Sequence, residues 1–299
     1  MKFIFLFTLF LHISFTLQGG ADLLAVKQLD GKMKLSEITV KFYKKLSKLL
    51  KADTDKKAKL KIDGKEITTT LSVNLEHEIQ PTDAELAALE TNITELNLNM
   101  GNHNIEFKLN DFYTVNTNLY VFNYDDKIIV SDIDGTITKS DFRGHILNAL
   151  GIDWTHDGVV DLFTHLASKG YKFIYLTARP ILMKDSTKKY LQGVNQDGGN
   201  KLPFGPVILN TDSFFSAVYL EMIKKKPQEF KIACLTKLFK LFKEKAFKYG
   251  FGNKETDKIT YQTLGVEDEN IILVTKNSKM TDPSKFVGKT YRELVPLLN

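Results

Sequence analysis

Residues 127–141 read KIIVSDIDGTITKSD. An apolar run, Ile128, Ile129 and Val130, leads directly into two aspartates one residue apart, Asp132 and Asp134, and then into Gly135 and Thr136. A continuous hydrophobic run of this kind reads as a strand buried on both faces, the mark of a parallel sheet. Such a strand delivers Asp132 to the carboxyl end of the sheet, where ligands bind in open α/β folds. Two adjacent carboxylates repel each other unless a cation or a shared proton offsets the charge. Gly135 lets the chain turn sharply there without a Cβ clash. A hard divalent ion would be satisfied by these oxygens together with water and a phosphate. One carboxylate could then serve as nucleophile and its neighbour as general acid and base. Asp-rich turns at strand ends are common in α/β proteins, so the D-x-D pair alone carries little. D-x-D-G-T directly after a buried strand points to phosphoryl chemistry.

From residue 119 onward the same logic repeats. Apolar strands fall at 128–131, 171–177 (YKFIYLT), 206–209, 249–252 and 271–275 (IILVT), with helical stretches at 141–150, 157–169, 183–195, 213–225 and 229–245. Strands alternating with helices imply βαβ units and a mostly parallel sheet. Residues 22–73 read differently. There, Asp30-Gly31 and Asp63-Gly64 each join two alternating segments, a hairpin signal that suggests a small antiparallel sheet or half a sandwich. Pro81-Thr82-Asp83 opens a helix that runs to Leu96. The Asn-rich stretch 101–118 reads as a connection with one strand, IEFKL. A chain of 299 residues accommodates two such units. They divide as residues 20–118, β-rich with its connection, and residues 119–299, α/β.

Hydrophobic residues at 43% and charged residues at 26% are ordinary for a globular protein and argue against wholesale disorder. The net charge of +5 is unevenly placed, with lysines crowded between Lys41 and Lys65. Such a basic face suits phosphates on anionic lipid or nucleic acid, and a solvated lysine face has the same composition. Cys234 is the only cysteine, which excludes an internal disulfide or a cysteine-based metal site and favours a reducing compartment. Residues 1–19 carry one lysine and an apolar run over 3–17, followed by small residues, as a secretory signal does. That run is shorter than the roughly 20 residues that span a bilayer. On a helix, Thr8, His12 and Thr16 draw one polar stripe opposite a phenylalanine-rich face, the pattern of an amphipathic helix lying in a membrane interface. Composition leaves both readings open.

Phosphoryl transfer also needs donors from neighbouring strand ends. Thr177, in YLTAR at 175–179, ends a second buried strand with a hydroxyl, and Arg179 lies two residues on. Lys226, the last of three lysines before Pro227, could stabilise charge developing in transfer, although lysines also simply favour helix C-termini. FGFGNKETD at 249–257 supplies Asn253 and Asp257, whose oxygens suit a hard cation. Nucleophile pair, hydroxyl, lysine and oxygen-rich loop follow one another in the order of the haloacid-dehalogenase superfamily, which the chain resembles. The stretch DDKIIVSDIDGTITKSD, with GHIL, DWTHDG, GYKFIYLTAR, FFSA, KKPQEFK and FGN, resembles the catalytic domain of the lipin-type phosphatidate phosphatases. Residues 20–75, with LLAVKQ, TVKF and an Asp-Gly hairpin, resemble the lipin N-terminal domain more distantly.

The resemblance implies a fold: a Rossmann-like haloacid-dehalogenase catalytic domain, a small immunoglobulin-like β-sandwich and an N-terminal amphipathic helix over residues 1–19. The C-terminal residues are expected to complete the sandwich, bringing residues 23–26 against the region after Ile271. It also implies roles. Asp132 would attack phosphorus and become an aspartyl-phosphate. Asp134 would protonate the leaving alkoxide and then activate water. Thr136, Thr177 and Lys226 would hold the phosphate. Magnesium would be bound by Asp132, by Asp134 through its backbone carbonyl and by Asn253, with Asp257 close behind. Positioning and charge neutralisation are what phosphoryl transfer chiefly requires.

The implied activity is magnesium-dependent hydrolysis of phosphatidate to diacylglycerol and phosphate at an anionic phospholipid membrane. The implied location is cytoplasmic, peripheral to the endoplasmic reticulum or nuclear membrane, or the secretory pathway if residues 1–19 are a signal peptide. Neither nucleic acid nor an obligate protein partner is expected. Two departures stand out. Asn253 occupies a metal-loop position that is aspartate in many superfamily members, and Arg143 replaces the first leucine of a coactivator-type LGHIL segment, so transcriptional coactivation is not expected. The competing functions are a phosphatidate-binding module without turnover and a phosphatase for a soluble phosphoester. The intact Asp132–Asp134 pair speaks against the first and the apolar N-terminus against the second.

Overall fold

The computed structural model describes residues 19–42, 56–111, 113–139, 155–196, 199–210, 232 and 235–298. Lys226, Arg143, the helices expected at 141–150 and 213–225, and the amphipathic or signal segment before Gly19 lie outside the described residues.

The N-terminal part contains β1 (Gly19–Gly20), β2 (Leu23–Lys27), β3 (Met33–Leu35), β4 (Val40–Lys41), β5 (Lys57–Ile62), β6 (Lys65–Ser72), α1 (Asp83–Leu96), β7 (Gly101–Asn110) and β8 (Tyr113–Asn123). Six of these strands form one sheet in the order β3-β2-β8-β7-β5-β6, and β1 and β4 form a separate two-stranded ribbon. Both Asp-Gly hairpins form as read, β2 with β3 and β5 with β6. Between β2 and β8 the pairing is parallel.

Leu89 and Ile93 of α1 bury against Leu60, Phe107 and Val121 of the sheet. The helix packs on this face together with Val40 of the β1–β4 ribbon, which joins the same cluster. The stretch 101–118 differs from expectation. Instead of one strand in a connection it is a long antiparallel hairpin, β7 on β8. Asn102, Asn104, Asn116 and Asn118 take its solvent-facing positions while Ile105, Phe107, Val115 and Leu119 face the core. Asparagine's weak strand preference hid an alternation that was present.

The second part contains β9 (Ile128–Asp132), α2 (Val159–Ser168), β10 (Lys172–Pro180), α3 (Lys184–Gly193), β11 (Asn195–Gln196), β12 (Asn200–Lys201), β13 (Val207–Asn210), β14 (Phe247–Gly252), α4 (Glu255–Thr263), β15 (Ile271–Val274), β16 (Met280–Asp282) and α5 (Tyr291–Leu294). Its sheet runs β13-β10-β9-β14-β15-β16. All neighbours are parallel except β15 and β16. This is a Rossmann-like α/β unit, with β9 in the middle and each of its residues buried.

The C-terminal residues finish this sheet: β16 adds its edge, and Tyr291 and Leu294 of α5 bury in the same core as Val159 and Phe163 of α2. They do not extend the N-terminal sheet, although the expected contact forms, with Leu24 and Val26 in one buried cluster with Ile271 and Leu273. The last strand's antiparallel return follows from a short turn after β15, too short for a parallel crossover. The two units nevertheless share a core. Leu24, Val26, Tyr120 and Phe122 cluster with Ile128, Val130, Ile174, Leu176, Ile271 and Leu273. Among the described residues, no helix is long and apolar enough to cross a membrane.

Candidate active site

Asp132 ends β9 in register with Leu176 of β10, and only 4% of it is exposed. The chain then winds into a tight turn. The Ile133 carbonyl accepts hydrogen bonds from the backbone N–H groups of Thr136 (3.3 Å), Ile137 (3.0 Å) and Thr138 (3.1 Å). The Gly135 N–H donates to Thr138 Oγ1 at 3.1 Å. Gly135 itself has φ of 93°, and a Cβ there would come within 1.9 Å of Asn253 Nδ2. Only glycine lets the turn lie this close to the β14 loop. Thr136, fully buried, donates its hydroxyl to Asp132 Oδ2 at 3.3 Å.

Asp134 reaches the neighbouring strand. Thr177 Oγ1 donates to its Oδ2 at 3.0 Å. Arg179 grips it bidentately, Nε to Oδ2 at 2.9 Å and Nη2 to Oδ1 at 2.6 Å. The sequence placed Thr177 and Arg179 at the same strand end but gave no sign that both would converge on Asp134.

The β14 loop is organised by Asp257, which the sequence placed in a turn and the structure places in the first turn of α4. Its fully buried carboxylate accepts, through Oδ2, the N–H groups of Asn253 (3.0 Å) and Lys254 (3.1 Å). Asp257 therefore shapes the loop that presents Asn253. Asn253 Oδ1 is a buried acceptor with no hydrogen-bond partner. An unsatisfied buried oxygen next to the turn that follows Asp132 fits a hard cation, which takes few carboxylates and completes its shell with neutral oxygens and water. Among the described residues no cluster of three or more His, Cys, Asp and Glu side chains offers an alternative metal site.

Two supporting residues escaped the sequence reading. His156, within the DWTHDG stretch, is fully buried and spans from Gly135 O, through Nε2 at 3.3 Å, to Ser278 Oγ, through Nδ1 at 2.7 Å. A carbonyl can only accept, so Nε2 carries the proton and Nδ1 accepts from the serine. Burial, seconded by the charge of Lys139, holds its pKa down at about 4, against the pull of the Gly135 and Thr138 backbone. Tyr291 donates its hydroxyl to Thr136 O at 2.9 Å, and burial raises that hydroxyl's pKa. The turn is thus braced from below at two carbonyls.

Residues 84–299 match the family model described as LNS2 (Lipin/Ned1/Smp2). The chain belongs to the lipin/Ned1/Smp2 family. Its similar proteins include phosphatidate phosphatase LPIN3 of Mus musculus, 43% identical over 191 residues that cover 62% of this chain and 22% of the mouse protein. Phosphatidic acid phosphohydrolase 1 of Saccharomyces cerevisiae is 41% identical over 198 residues, which cover 62% of this chain and 23% of the yeast protein. Phosphatidate phosphatase PAH1 of Arabidopsis thaliana is 38% identical over 214 residues, 69% of this chain and 24% of that protein. The aligned part thus spans under a quarter of each of these relatives. The lipin family match begins after the N-terminal strands β1 to β6 and takes in the whole candidate site.

Proposed function

We propose that the chain hydrolyses phosphatidate to diacylglycerol and phosphate, with magnesium, at a membrane surface. The observation that carries this reading is the pairing of Asp132, at the end of the central buried strand, with the unsatisfied Asn253 oxygen beside the same turn. The names of the family relatives supply the substrate class.

In this reading Asp132 Oδ attacks phosphorus, and Thr136 steadies that carboxylate through its hydroxyl. Asp134 gives a proton to the departing alkoxide and later takes one from the attacking water. Thr177 donates to Asp134 in the structure, and with phosphate present its single hydroxyl proton would turn to a phosphate oxygen instead. Lys226 would hold a second phosphate oxygen. Magnesium would be held by Asp132, the Asp134 backbone carbonyl and Asn253, with Asp257 fixing the loop, and would neutralise charge on the phosphoryl group.

The membrane part of the reading has support in connectivity. Gly19 packs beside Ile181, at the residue following β10. Gly19, which follows the apolar residues 3–17 in the sequence, thus stands at the end of the sheet that carries Thr177 and Arg179. The location in this reading is cytoplasmic, peripheral to the endoplasmic reticulum or nuclear membrane, as the lipin resemblance implies.

The test is phosphate release from phosphatidate in mixed micelles, with and without magnesium, beside lysophosphatidate and a soluble phosphate ester. Turnover that requires magnesium and prefers phosphatidate is expected, and Asp132→Asn is expected to abolish it. Activity in Asp132→Asn refutes the nucleophile. Equal rates on the soluble ester refute the lipid substrate.

A further inference from the structure

Asp134 has to face two partners in turn, the leaving oxygen and then a water, yet both of its oxygens are already held. Arg179 donates to Oδ1 at 2.6 Å and to Oδ2 at 2.9 Å, and Thr177 adds a bond to Oδ2 at 3.0 Å. The Arg179 side chain is 4% exposed, so this is no surface ion pair. Its remaining arm, Nη1, donates to Thr187 Oγ1 on α3 at 3.1 Å. The next residue of that helix, Lys188, is pinned by Asp22 (2.9 Å to each oxygen) and by Asn118 Oδ1 (2.7 Å). A planar fork held at both ends fixes direction as well as distance.

We propose that Arg179 is a positioning residue that sets the direction of the Asp134 carboxyl for both proton transfers and does not itself hold the substrate. This rests on the roles of Asp132 and Asp134 proposed above. In the first step an Asp132 oxygen bonds to phosphorus, the bond from phosphorus to the alcohol oxygen breaks, and that oxygen takes the proton of the Asp134 carboxyl. In the second step a water oxygen bonds to phosphorus, the water's proton passes to the Asp134 carboxylate, and the bond from Asp132 to phosphorus breaks. An aryl leaving group such as nitrophenolate departs without a proton, whereas the water always has to lose one. Misdirecting Asp134 therefore slows both steps for an alkyl phosphate, but only the second for nitrophenyl phosphate.

The experiment is rapid-quench kinetics on the full chain with p-nitrophenyl phosphate and with phosphatidate in mixed micelles, for wild type, Arg179→Gln, Arg179→Lys and Thr187→Val. For Arg179→Gln the expectation is a kcat lower by about 10–100-fold, with KM unchanged on phosphatidate and falling together with kcat on the aryl ester. A stoichiometric burst of nitrophenolate and accumulation of acid-stable phosphoprotein on the aryl substrate are expected with it. Arg179→Lys restores part of kcat. Thr187→Val keeps both contacts to Asp134 and frees only the outer arm, so the same burst appears with a smaller loss. If Arg179→Gln fails to fold, Thr187→Val and Arg179→Lys decide. A raised KM with kcat retained makes Arg179 a phosphate ligand and overturns the proposal. Equal loss on both substrates without a burst makes it a structural pair and also overturns it. Phosphoprotein formed by Asp132→Asn would instead overturn the underlying nucleophile assignment, and the two failures are told apart by which variant carries the label.

Discussion

His156 shows how one residue ties the site to pH. Its ring is fully buried between Gly135 and Ser278, and its pKa is depressed to about 4 from an ordinary value of 6.5. The folded form therefore holds a neutral ring where the unfolded chain would bind a proton. Stability from this group is complete above about pH 6.5 and is lost as pH falls toward 4, where the folded ring protonates too. Thermal melts of wild type and His156→Gln between pH 8 and pH 4 check this. The wild type is expected to lose stability more steeply across that window, and parallel slopes would show that other groups dominate. At this scale the sequence told much about Asp132, Gly135 and Asn253, because turn chemistry and strand ends are local. It told nothing of Arg179 gripping Asp134, or of His156 and Tyr291 bracing the turn. Those partners lie 21 to 155 residues away along the chain, and contacts of that reach are set by packing.

At the scale of elements, α1 was legible because its start is written locally. Thr82 Oγ1 accepts from the Glu85 N–H at 3.2 Å, and Glu85 returns a bond to the Thr82 N–H at 3.0 Å, a capping box. Glu85 does more than cap. It also accepts from the Ser72 N–H at 3.0 Å and Ser72 Oγ at 2.8 Å and pairs with Lys57, stitching the helix to β5 and β6. Burial raises its pKa, but these donors outweigh burial and hold it at about 2, below an ordinary 4.5. A carboxyl so depressed contributes stability above pH 4.5 and loses that contribution as pH falls through about 2. Replacing Glu85 by Gln is expected to cost about 2 kcal/mol at neutral pH, with the gap to wild type closing between pH 4.5 and 2 in urea titrations. A gap independent of pH would mean that only the side chain's shape matters. The parallel pairing of β2 with β8, by contrast, was not legible, since nothing local distinguishes a strand's distant neighbour.

The whole molecule is joined by a core that the division into two units hid. Leu24, Val26, Tyr120 and Phe122 of the N-terminal sheet pack with Ile128, Val130, Ile174 and Leu176 of the α/β sheet. The alternation of β2 and β8 showed these residues to be apolar, but which face would meet the second sheet depends on a docking that no local pattern records. Across the same junction Asp22, 3% exposed, receives Lys188 Nζ, Thr117 Oγ1 at 3.1 Å and the Val207 N–H at 3.0 Å. A buried pair of this sort gives little net stability against an apolar replacement, but breaking one side strands the other charge. Asp22→Ala is therefore expected to destabilise the chain by about 3–5 kcal/mol, and Asp22→Ala with Lys188→Met to recover a substantial part of that loss. Because the junction core belongs to both sheets, denaturation followed by far-ultraviolet circular dichroism and by phosphatase activity is expected to give coincident transitions in the wild type. Asp22→Ala should move both midpoints together. If activity is lost at lower denaturant than secondary structure, the sheets unfold separately and the ion pair serves the α/β unit alone.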